Sequence, residues 1–415
     1  MSRPRANLAI AAFLRLGRRA LSRSVEPAHD FTGHSFERLD PALKFEEEYM
    51  PGYEKGLFYP VQIGQVFSSR YQVLSKLGYG ANSTVWFCRD LIKRRYAALK
   101  VYICSPGAEQ ECNVLRHLES LKSSHPGKEK FRTMLDAFTA DGPSGRHQCL
   151  VHEPLLTSIS HLQASLPNQR LTEQVLKLLL KELLVTLDYL HTEAQVIHTD
   201  IQSKNIMIGT NQPSLFERWK AQAVQGPTPR KNVPGHVVYR ARRYNIEEGR
   251  GTWGLPLLSD FGQARIGPGD HEGVIQPTLY RAPEVVLGMK WDSEVDIWNL
   301  GALIWELFEN YYMFQDRGPD GEYSEAHLLA SMIALLGPPP SQFLKRSDKS
   351  LRFWDESGNW RGLAEIADVS FEESELYLEG RNKDIFIQFV RKMVRWEPNE
   401  RQTARELLND PWLLS

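Results

Sequence analysis

The apolar pattern of this chain changes its period near residue 171, and that change limits the folds available to it. Before it, segments 71–77, 84–90 and 95–103 are rich in Val, Tyr, Leu and Trp and are separated by turn residues, as β-strands are. After it, leucines recur at helical spacing. We therefore predict that a small strand-rich lobe precedes a large helical lobe.

Two long helices are predicted in the second lobe. The first follows Thr172, its predicted N-cap, and the second covers 293–308 with Ser293 as N-cap. Both are apolar around most of their circumference, which predicts deep burial. The periodic residues of the first are Leu176, Leu179, Leu180, Leu183, Leu184, Leu187 and Leu190.

Composition excludes several classes of protein. A length of 415 residues suits two lobes, and a formal net charge of -1 gives no global field toward nucleic acid or membranes, so no direct nucleic-acid binding is expected. No run of about 18 apolar residues predicts a membrane span. The cysteines form no C-x-x-C pair, which favours reduced thiols. They are Cys88, Cys104, Cys112 and Cys149.

Residues 1–50 are interpreted as a basic tail, and their first half has two readings. No acid precedes Glu26, and the apolar run 8–14 is followed by Arg15, Arg18 and Arg19. This pattern is typical of a mitochondrial transit peptide, but a disordered basic tail explains it equally well.

A second polar segment covers 212–250. It contains Pro227, Pro229 and Pro234 and holds eight basic residues against three acidic ones. We predict a flexible inserted loop, solvated rather than bound to an acidic partner or to nuclear import machinery.

A glycine turn joins the first two predicted strands, and a lysine ends the third. Glycine lets the backbone approach phosphates closely, and Lys100 suits a phosphate contact. Glu111, on the next helix, is expected to pair with Lys100 in preference to Glu109, because apolar residues flank it. The candidate nucleotide-binding residues of the turn are Leu77, Gly78, Tyr79, Gly80, Ala81, Asn82, Ser83, Thr84 and Val85.

Two polar motifs follow the first long helix. Asp200, in the segment 198–205, can accept or aim the proton of an attacking hydroxyl, and Asn205 offers an oxygen ligand to Mg²⁺. Asp260, in Asp-Phe-Gly, offers a carboxylate to the same metal. Taken singly, these residues could belong to ordinary turns.

The order of the motifs removes most of that ambiguity. The glycine turn, strand lysine, helix glutamate, H-x-D-x-x-x-x-N, Asp-Phe-Gly and Ala-Pro-Glu (282–284) follow one another as in the eukaryotic protein kinase family, which residues 71–412 resemble. The resemblance implies an α+β, two-lobed protein kinase fold that binds ATP and Mg²⁺ between a small antiparallel-sheet N-lobe at 51–155 and a larger, mostly helical C-lobe at 156–415. It also implies catalytic roles for Lys100, Asp200 and Asn205.

The resemblance extends to contacts that the residues alone do not reveal. It implies nucleotide contacts at Glu153 and Leu155 and an ion pair between Glu284 and Arg401. An extra helical insert, typical of the CMGC group, is expected at about 315–380.

A closer resemblance is to short fungal-type members of the SR-protein-specific kinase subfamily of the CMGC group. It rests on Ser83-Thr84-Val85-Trp86, on Thr199, on the insert at 212–250 and on Tyr280-Arg281. It implies Arg/Ser-rich protein substrates such as splicing factors, a monomer, and a cytoplasmic and nuclear location. The alternatives are a pseudokinase scaffold and a small-molecule phosphotransferase.

Three positions depart from the family pattern. Gln202 stands where serine/threonine kinases carry a lysine, with Lys204 two residues on, and Pro277 stands where a threonine is usual. Thr199 replaces an arginine that commonly receives an activation-loop phosphate, so we predict activity that needs no such phosphate.

Overall fold

The computed structural model describes residues 25–31, 33, 35–242 and 251–415. The basic amphipathic segment predicted near the N-terminus lies outside the described residues. The described chain forms a strand-rich N-lobe and a helical C-lobe, as predicted.

The N-lobe is one antiparallel sheet with the strand order β1-β2-β3-β4-β6-β5. The three strands predicted from composition are present within two residues of their expected ends, because their Val, Leu and aromatic residues fill the N-lobe core. The helix α1, Gln110–Ser120, follows β4. The strands are β1 Val66–Phe67, β2 Tyr71–Tyr79, β3 Ser83–Asp90, β4 Arg95–Tyr102, β5 Asp136–Gly142 and β6 Gly145–His152.

The C-lobe is built around two buried helices, α3 and α6. The Thr172 side chain accepts from the Val175 amide at 3.4 Å, as predicted for an N-cap, whereas Ser293 occupies the N-cap of α6 without a side-chain bond. Among the helices are α2 Ile159–Ser165, α3 Glu173–Tyr189, α4 Ser214–Gln225, α5 Pro283–Val286, α6 Glu294–Glu309, α7 Glu325–Leu336, α8 Ser341–Leu344, α9 Phe371–Ser374, α10 Gly380–Arg391, α11 Ala404–Leu407 and α12 Pro411–Leu414.

Short strands hold the loops that face the N-lobe. One small sheet has the order β12-β9-β7, and β13 pairs with β8. None of the helices in the described ranges is long and apolar enough to cross a membrane. The strands that follow β6 are β7 Thr157–Ser158, β8 Val196–Ile197, β9 Ile206–Thr210, β10 Arg230–Val233, β11 His236–Tyr239, β12 Trp253–Leu258 and β13 Arg265–Ile266.

The segment 212–242 is ordered, which corrects the prediction of a flexible loop there. Its helix α4 packs Phe216 and Trp219 against Phe87 of the N-lobe, with ring centroids 6.2 and 5.2 Å away, and a β10–β11 hairpin follows. The loop prediction failed because only a narrow apolar stripe lies among prolines and charges. The rest of the predicted insert, 243–250, lies outside the described residues.

Residues 35–50 also differ from the predicted tail. A short 3-10 helix, Glu46–Tyr49, presents its carboxylates to lysines of the N-lobe and of the β10–β11 hairpin. Upstream of residues 35–50, Glu26 pairs with Arg89 at 2.8 Å. These ion pairs join residues about 30 to 180 positions apart, so a local sequence pattern could not predict them.

Candidate active site

Lys100 lies at the centre of a buried charge cluster between the lobes. Its Nζ is 2.7 Å from Glu111 Oε2 and 3.0 Å from Asp260 Oδ1, so the predicted pairing with Glu111 is present. Burial opposes its charge, but the Asp260 and Glu111 carboxylates outweigh burial and raise the pKa of Lys100 well above its ordinary value. Lys100 in turn lowers the pKa of Asp260 to about 2. Both groups are therefore charged at neutral pH.

Tyr102 is a member of this cluster that the sequence reasoning missed. Its hydroxyl donates to Glu111 Oε2, and its ring lies 4.9 Å from Lys100 Nζ. The Glu111 Oε1 accepts from the Phe261 amide at 3.2 Å. The signal was available, because residues two apart on a strand share one face.

The buried helix α6 holds the loop that carries Asp200. The Asp296 carboxylate accepts from the backbone amides of His198 and Thr199 at 2.7 and 2.8 Å. Asn299 accepts from the Ile201 amide at 3.1 Å and donates to its carbonyl at 2.6 Å. Thr199 has a φ of 65°, a left-handed conformation that these bonds stabilise.

The Asp200 carboxylate is fixed by two amide side chains. Gln202 donates to Oδ1, and Asn205 donates to Oδ2 at 2.8 Å and to the Asp200 carbonyl at 2.9 Å. Burial raises the pKa of Asp200, while the charges of His198 and Lys204 act to lower it. A carboxylate so held can aim a hydroxyl and accept its proton.

The cleft between the lobes has a volume of about 1020 Å³ and brings most of the predicted residues together. Leu155, Lys100, Glu111, Asp200, Asn205 and Asp260 line it. A Cβ placed on Gly78 or Gly80 would meet nothing within 4 Å, so the turn leaves open space for phosphates. The lining residues of the glycine turn are Leu77, Gly78, Tyr79, Gly80, Ala81, Asn82, Ser83 and Val85.

One predicted nucleotide contact does not reach this cleft. Thr84 is buried and accepts from Trp86 Nε1 at 2.9 Å, because strand alternation turns it away from Ser83 and Val85. This assignment is corrected. The Glu153 side chain is exposed and lines a cavity that shares Arg132 and Leu155 with the cleft, so the contact at Glu153 stays a prediction.

The acidic and amide groups of the cleft fit a shared Mg²⁺ site. No group of three or more His, Cys, Asp or Glu residues in the described part of the chain could hold a metal unaided. Mg²⁺ typically takes one or two carboxylates and completes its shell with phosphate oxygens and water. Asp260, with the amide oxygen of Asn205, matches that donor set.

Comparison with known proteins identifies the family. The protein kinase domain family matches residues 71–243 and 247–413. This chain belongs to the protein kinase family. A crystal structure of a kinase domain has the same fold, with a TM-score of 0.65 at 20% identity over 86% of this chain and 99% of that one.

Curated relatives narrow the activity. A serine/threonine protein kinase of Aspergillus fumigatus is 55% identical over 92% of this chain and 94% of its own length. The serine/threonine-protein kinase SRPK of Physarum polycephalum is 28% identical over 89% and 91%, and mouse SRSF protein kinase 3 is 26% identical over 89% and 90%. The chain is a serine/threonine protein kinase similar to SRPK kinases, and the pseudokinase alternative is not supported.

The activation segment of this kinase, from Asp260 to Glu284, is held by neutral hydrogen bonds at the positions where the sequence departs from the family. Thr199 Oγ1 donates to the Gln263 carbonyl at 2.8 Å. Gln276, beside Pro277, donates to the Val295 carbonyl at 2.7 Å and accepts from the Ala282 amide at 2.9 Å.

The predicted ion pair at the end of the segment is also present. Glu284 and Arg401 form a bidentate pair with N–O distances of 2.6 and 2.7 Å. Both side chains are almost fully buried. The segment is thus fixed at both ends by contacts among its own residues and the C-lobe.

Proposed function

We propose that this kinase binds ATP with Mg²⁺ and transfers the γ-phosphoryl group to serines of Arg/Ser-rich proteins. The convergence of Lys100, Asp200 and Asp260 on one cleft supports the phosphoryl transfer most strongly. The Arg/Ser-rich class is supported by the similarity to relatives named SRPK and SRSF protein kinase 3.

The residues of the cleft divide the work of the reaction. Lys100, held by Glu111, contacts the nucleotide phosphates, and the glycine turn lets its backbone lie close to them. Asp260 and Asn205 would hold Mg²⁺, which would supply positive charge against the phosphates. Asp200 aims the substrate hydroxyl and receives its proton.

The fixed activation segment bears on regulation. Because Thr199 bonds the Gln263 backbone in place of an arginine–phosphate contact, the segment needs no added charge to keep its place. We propose that the kinase is active as synthesised, as a monomer. Its proposed location is the cytoplasm and nucleus, and residues 1–40 fused to a fluorescent reporter would reveal mitochondrial import instead.

A peptide panel tests the substrate class. Three peptides of equal length carry Arg-Ser, Lys-Ser or Ala-Ser repeats, and transfer of labelled γ-phosphate to each is measured with Mg²⁺. We expect the highest kcat/KM for Arg-Ser, because a planar guanidinium makes bidentate bonds that an ammonium cannot. Equal rates on all three peptides would reject the Arg/Ser proposal and leave the kinase activity intact.

A further inference from the structure

The cleft between the lobes contains two chemically different sets of side chains. Lys100, Asp260 and the glycine turn are polar and suit the phosphates of a nucleotide. A second set is apolar, and a flat base fits among its members, since ligand pockets bury most of a ligand against apolar side chains. The members of this apolar set are Leu77, Val85, Leu155, Leu156 and Met207.

Arg132 lines the same cleft at the segment that connects the two lobes. Its Nη2 donates to the Glu153 carbonyl at 3.3 Å, in the connection between β6 and β7. With Leu155, it also lines the neighbouring cavity of about 510 Å³. A base that packs on Leu155 therefore turns one edge toward the Arg132 guanidinium.

The Arg132 guanidinium has hydrogen-bond donors that the protein does not use. A guanidinium carries five N–H groups and stays protonated in proteins, although burial lowers the pKa of Arg132 against the charges of Glu111 and Asp260. Its Nε is buried and has no hydrogen-bond partner among the residues that the structure describes. The Glu153 carbonyl is neutral, so it leaves the positive charge without a counter-ion. A ligand with acceptor atoms at this position would satisfy a buried donor, which is costly to leave unpaired.

Adenine and guanine differ on the edge that such a donor can bind. Guanine presents two adjacent acceptors, O6 and N7, whereas adenine presents N7 beside an amino group that is itself a donor. A guanidinium has no acceptor, so it can form two parallel hydrogen bonds with guanine and one with adenine. The chemistry of Arg132 therefore complements guanine better than adenine.

We propose that Arg132 binds the O6 and N7 atoms of guanine, so that the cleft takes guanine nucleotides as well as ATP, an inference that rests on the proposed function. GTP is then a second phosphoryl donor. The substrate hydroxyl oxygen bonds to the γ-phosphorus of GTP, and the bond from that phosphorus to the β,γ-bridging oxygen breaks. The hydroxyl proton passes to Asp200, and GDP leaves with the electron pair of the broken bond.

Nucleotide binding tests the role of Arg132 without any phosphoryl transfer. Calorimetric titration of the full chain with Mg²⁺ gives the Kd for ADP and for GDP in the wild type, in Arg132→Met and in the control Arg146→Met. Arg146 is an exposed arginine of β6 that lies outside the cleft.

We expect Arg132→Met to raise the ratio of the GDP Kd to the ADP Kd roughly tenfold to a hundredfold, because the lost bidentate contact is made to guanine alone. Arg146→Met should leave the ratio at its wild-type value. The proposal is overturned if the ratio rises less than about tenfold in Arg132→Met, or if the wild type binds ADP and no GDP.

A modified nucleotide tests the same contact in the wild-type protein, where no substitution can damage the pocket. 7-Deazaguanosine diphosphate lacks the N7 acceptor of GDP and keeps O6. The wild type should bind it more weakly than GDP, and Arg132→Met should bind the two alike. Equal affinity of the wild type for GDP and for the 7-deaza compound contradicts the bidentate contact.

The transfer assay separates this inference from the function on which it depends. With the peptide that the wild type phosphorylates best, we expect label from γ-labelled GTP as well as from ATP, and a lower ratio of kcat/KM for GTP to that for ATP in Arg132→Met. If the wild type transfers phosphate from neither nucleotide, the proposed function fails, and the binding ratio still decides the role of Arg132. If it transfers phosphate from ATP and none from GTP, only this inference is overturned.

Discussion

Two buried lysines on β2 and β4, which lie on either side of β3 in the N-lobe sheet, each pair with two carboxylates but lie in different surroundings. Lys100 on β4 pairs with Glu111 and Asp260, and Lys76 on β2 pairs with Glu46 and Glu47. Lys76 is 0% exposed and also donates to the Tyr239 carbonyl at 2.9 Å, whereas Lys100 is 8% exposed and lines the cleft.

The difference shows that one kind of charge cluster, a lysine between two carboxylates, can either fasten a segment or remain open to a ligand. Around Lys76, the side chains of Glu46 and Glu47 are only 15% and 9% exposed, so the cluster is closed and fastens the segment that contains Glu46 to the sheet. Around Lys100, the side chain of Asp260 is 44% exposed, so the cluster remains open to a ligand. A closed cluster should govern stability, and an open one should govern chemistry.

The largest expected effect comes from the open cluster. Lys100→Met removes the ammonium that contacts the nucleotide phosphates, and it should reduce transfer to peptide by roughly 10²–10³-fold. The measurement is kcat/KM with labelled ATP. Because water reaches Asp260, the melting temperature should fall less than in Lys76→Met. Full activity in a folded Lys100→Met protein would show that the open cluster does not govern phosphoryl transfer.

A mutation in the closed cluster around Lys76 should lower stability more than it lowers activity. Lys76→Met leaves Glu47 buried without its cation, and breaking a buried pair costs about 3–5 kcal/mol. Urea denaturation of the full chain measures this loss. The triple variant Lys76→Met, Glu46→Gln, Glu47→Gln should regain most of it, because no uncompensated charge remains. A Lys76→Met protein as stable as the wild type would show that the cluster is dispensable.

A third buried site sharpens the comparison because no lysine lies between its two acids. Glu309 and Glu375 are 3% and 1% exposed, and Lys383 is 3.5 Å from Glu375 only. Burial, and then the charge of Glu375, raises the pKa of Glu309 from 4.5 to about 7. The folded state therefore binds a proton that the unfolded state releases, and the resulting stability is complete below about pH 4.5 and lost as the pH rises through 7.

Glu309→Gln should remove this pH dependence. We expect the variant to gain roughly 1–3 kcal/mol over the wild type at pH 8 and much less at pH 5. Thermal melts at the two pH values measure the gain, with the exposed Glu365→Gln as the control. An equal effect at both pH values would mean that Glu309 is charged throughout.

The smallest expected effect concerns the activation segment, which hydrogen bonds and the Glu284–Arg401 ion pair hold without a phosphate. Thr278 is the sole Ser or Thr between Gln263 and Pro283 in the sequence. Phosphatase treatment, or Thr278→Val, should leave kcat unchanged. Loss of activity with an unchanged melting temperature would show that an added phosphate is needed.

The sequence predicted features that depend on spacing and missed those that depend on distant partners. The strands of the N-lobe and the Lys100–Glu111 pair could be predicted, because a regular period or an ordered motif marks each of them. The Glu284–Arg401 pair was predicted from the family resemblance alone. The contact of Glu46 with Lys76 could not, since it joins residues 30 positions apart in segments without a repeating pattern.

The predictions for the insert and for the cleft were wrong for different physical reasons. The short apolar stripe of helix α4 lies among charged residues and prolines. The composition of this segment therefore predicted a loop, although its apolar residues have a helical period. Thr84 was assigned to the cleft because the glycine turn was read as one unit, although alternation along β3 turns its side chain inward. Tyr102 was missed because candidate site residues on β4 were assigned only as far as Lys100.

Transfer of labelled γ-phosphate by the wild type and by Asp200→Ala tests the central claim, that Lys100, Asp200 and Asp260 act together on one Mg²⁺-bound nucleotide. We predict that the wild type labels serine or threonine, and that Asp200→Ala binds ATP with equal affinity yet labels nothing. Labelling by Asp200→Ala at the wild-type rate would contradict the account.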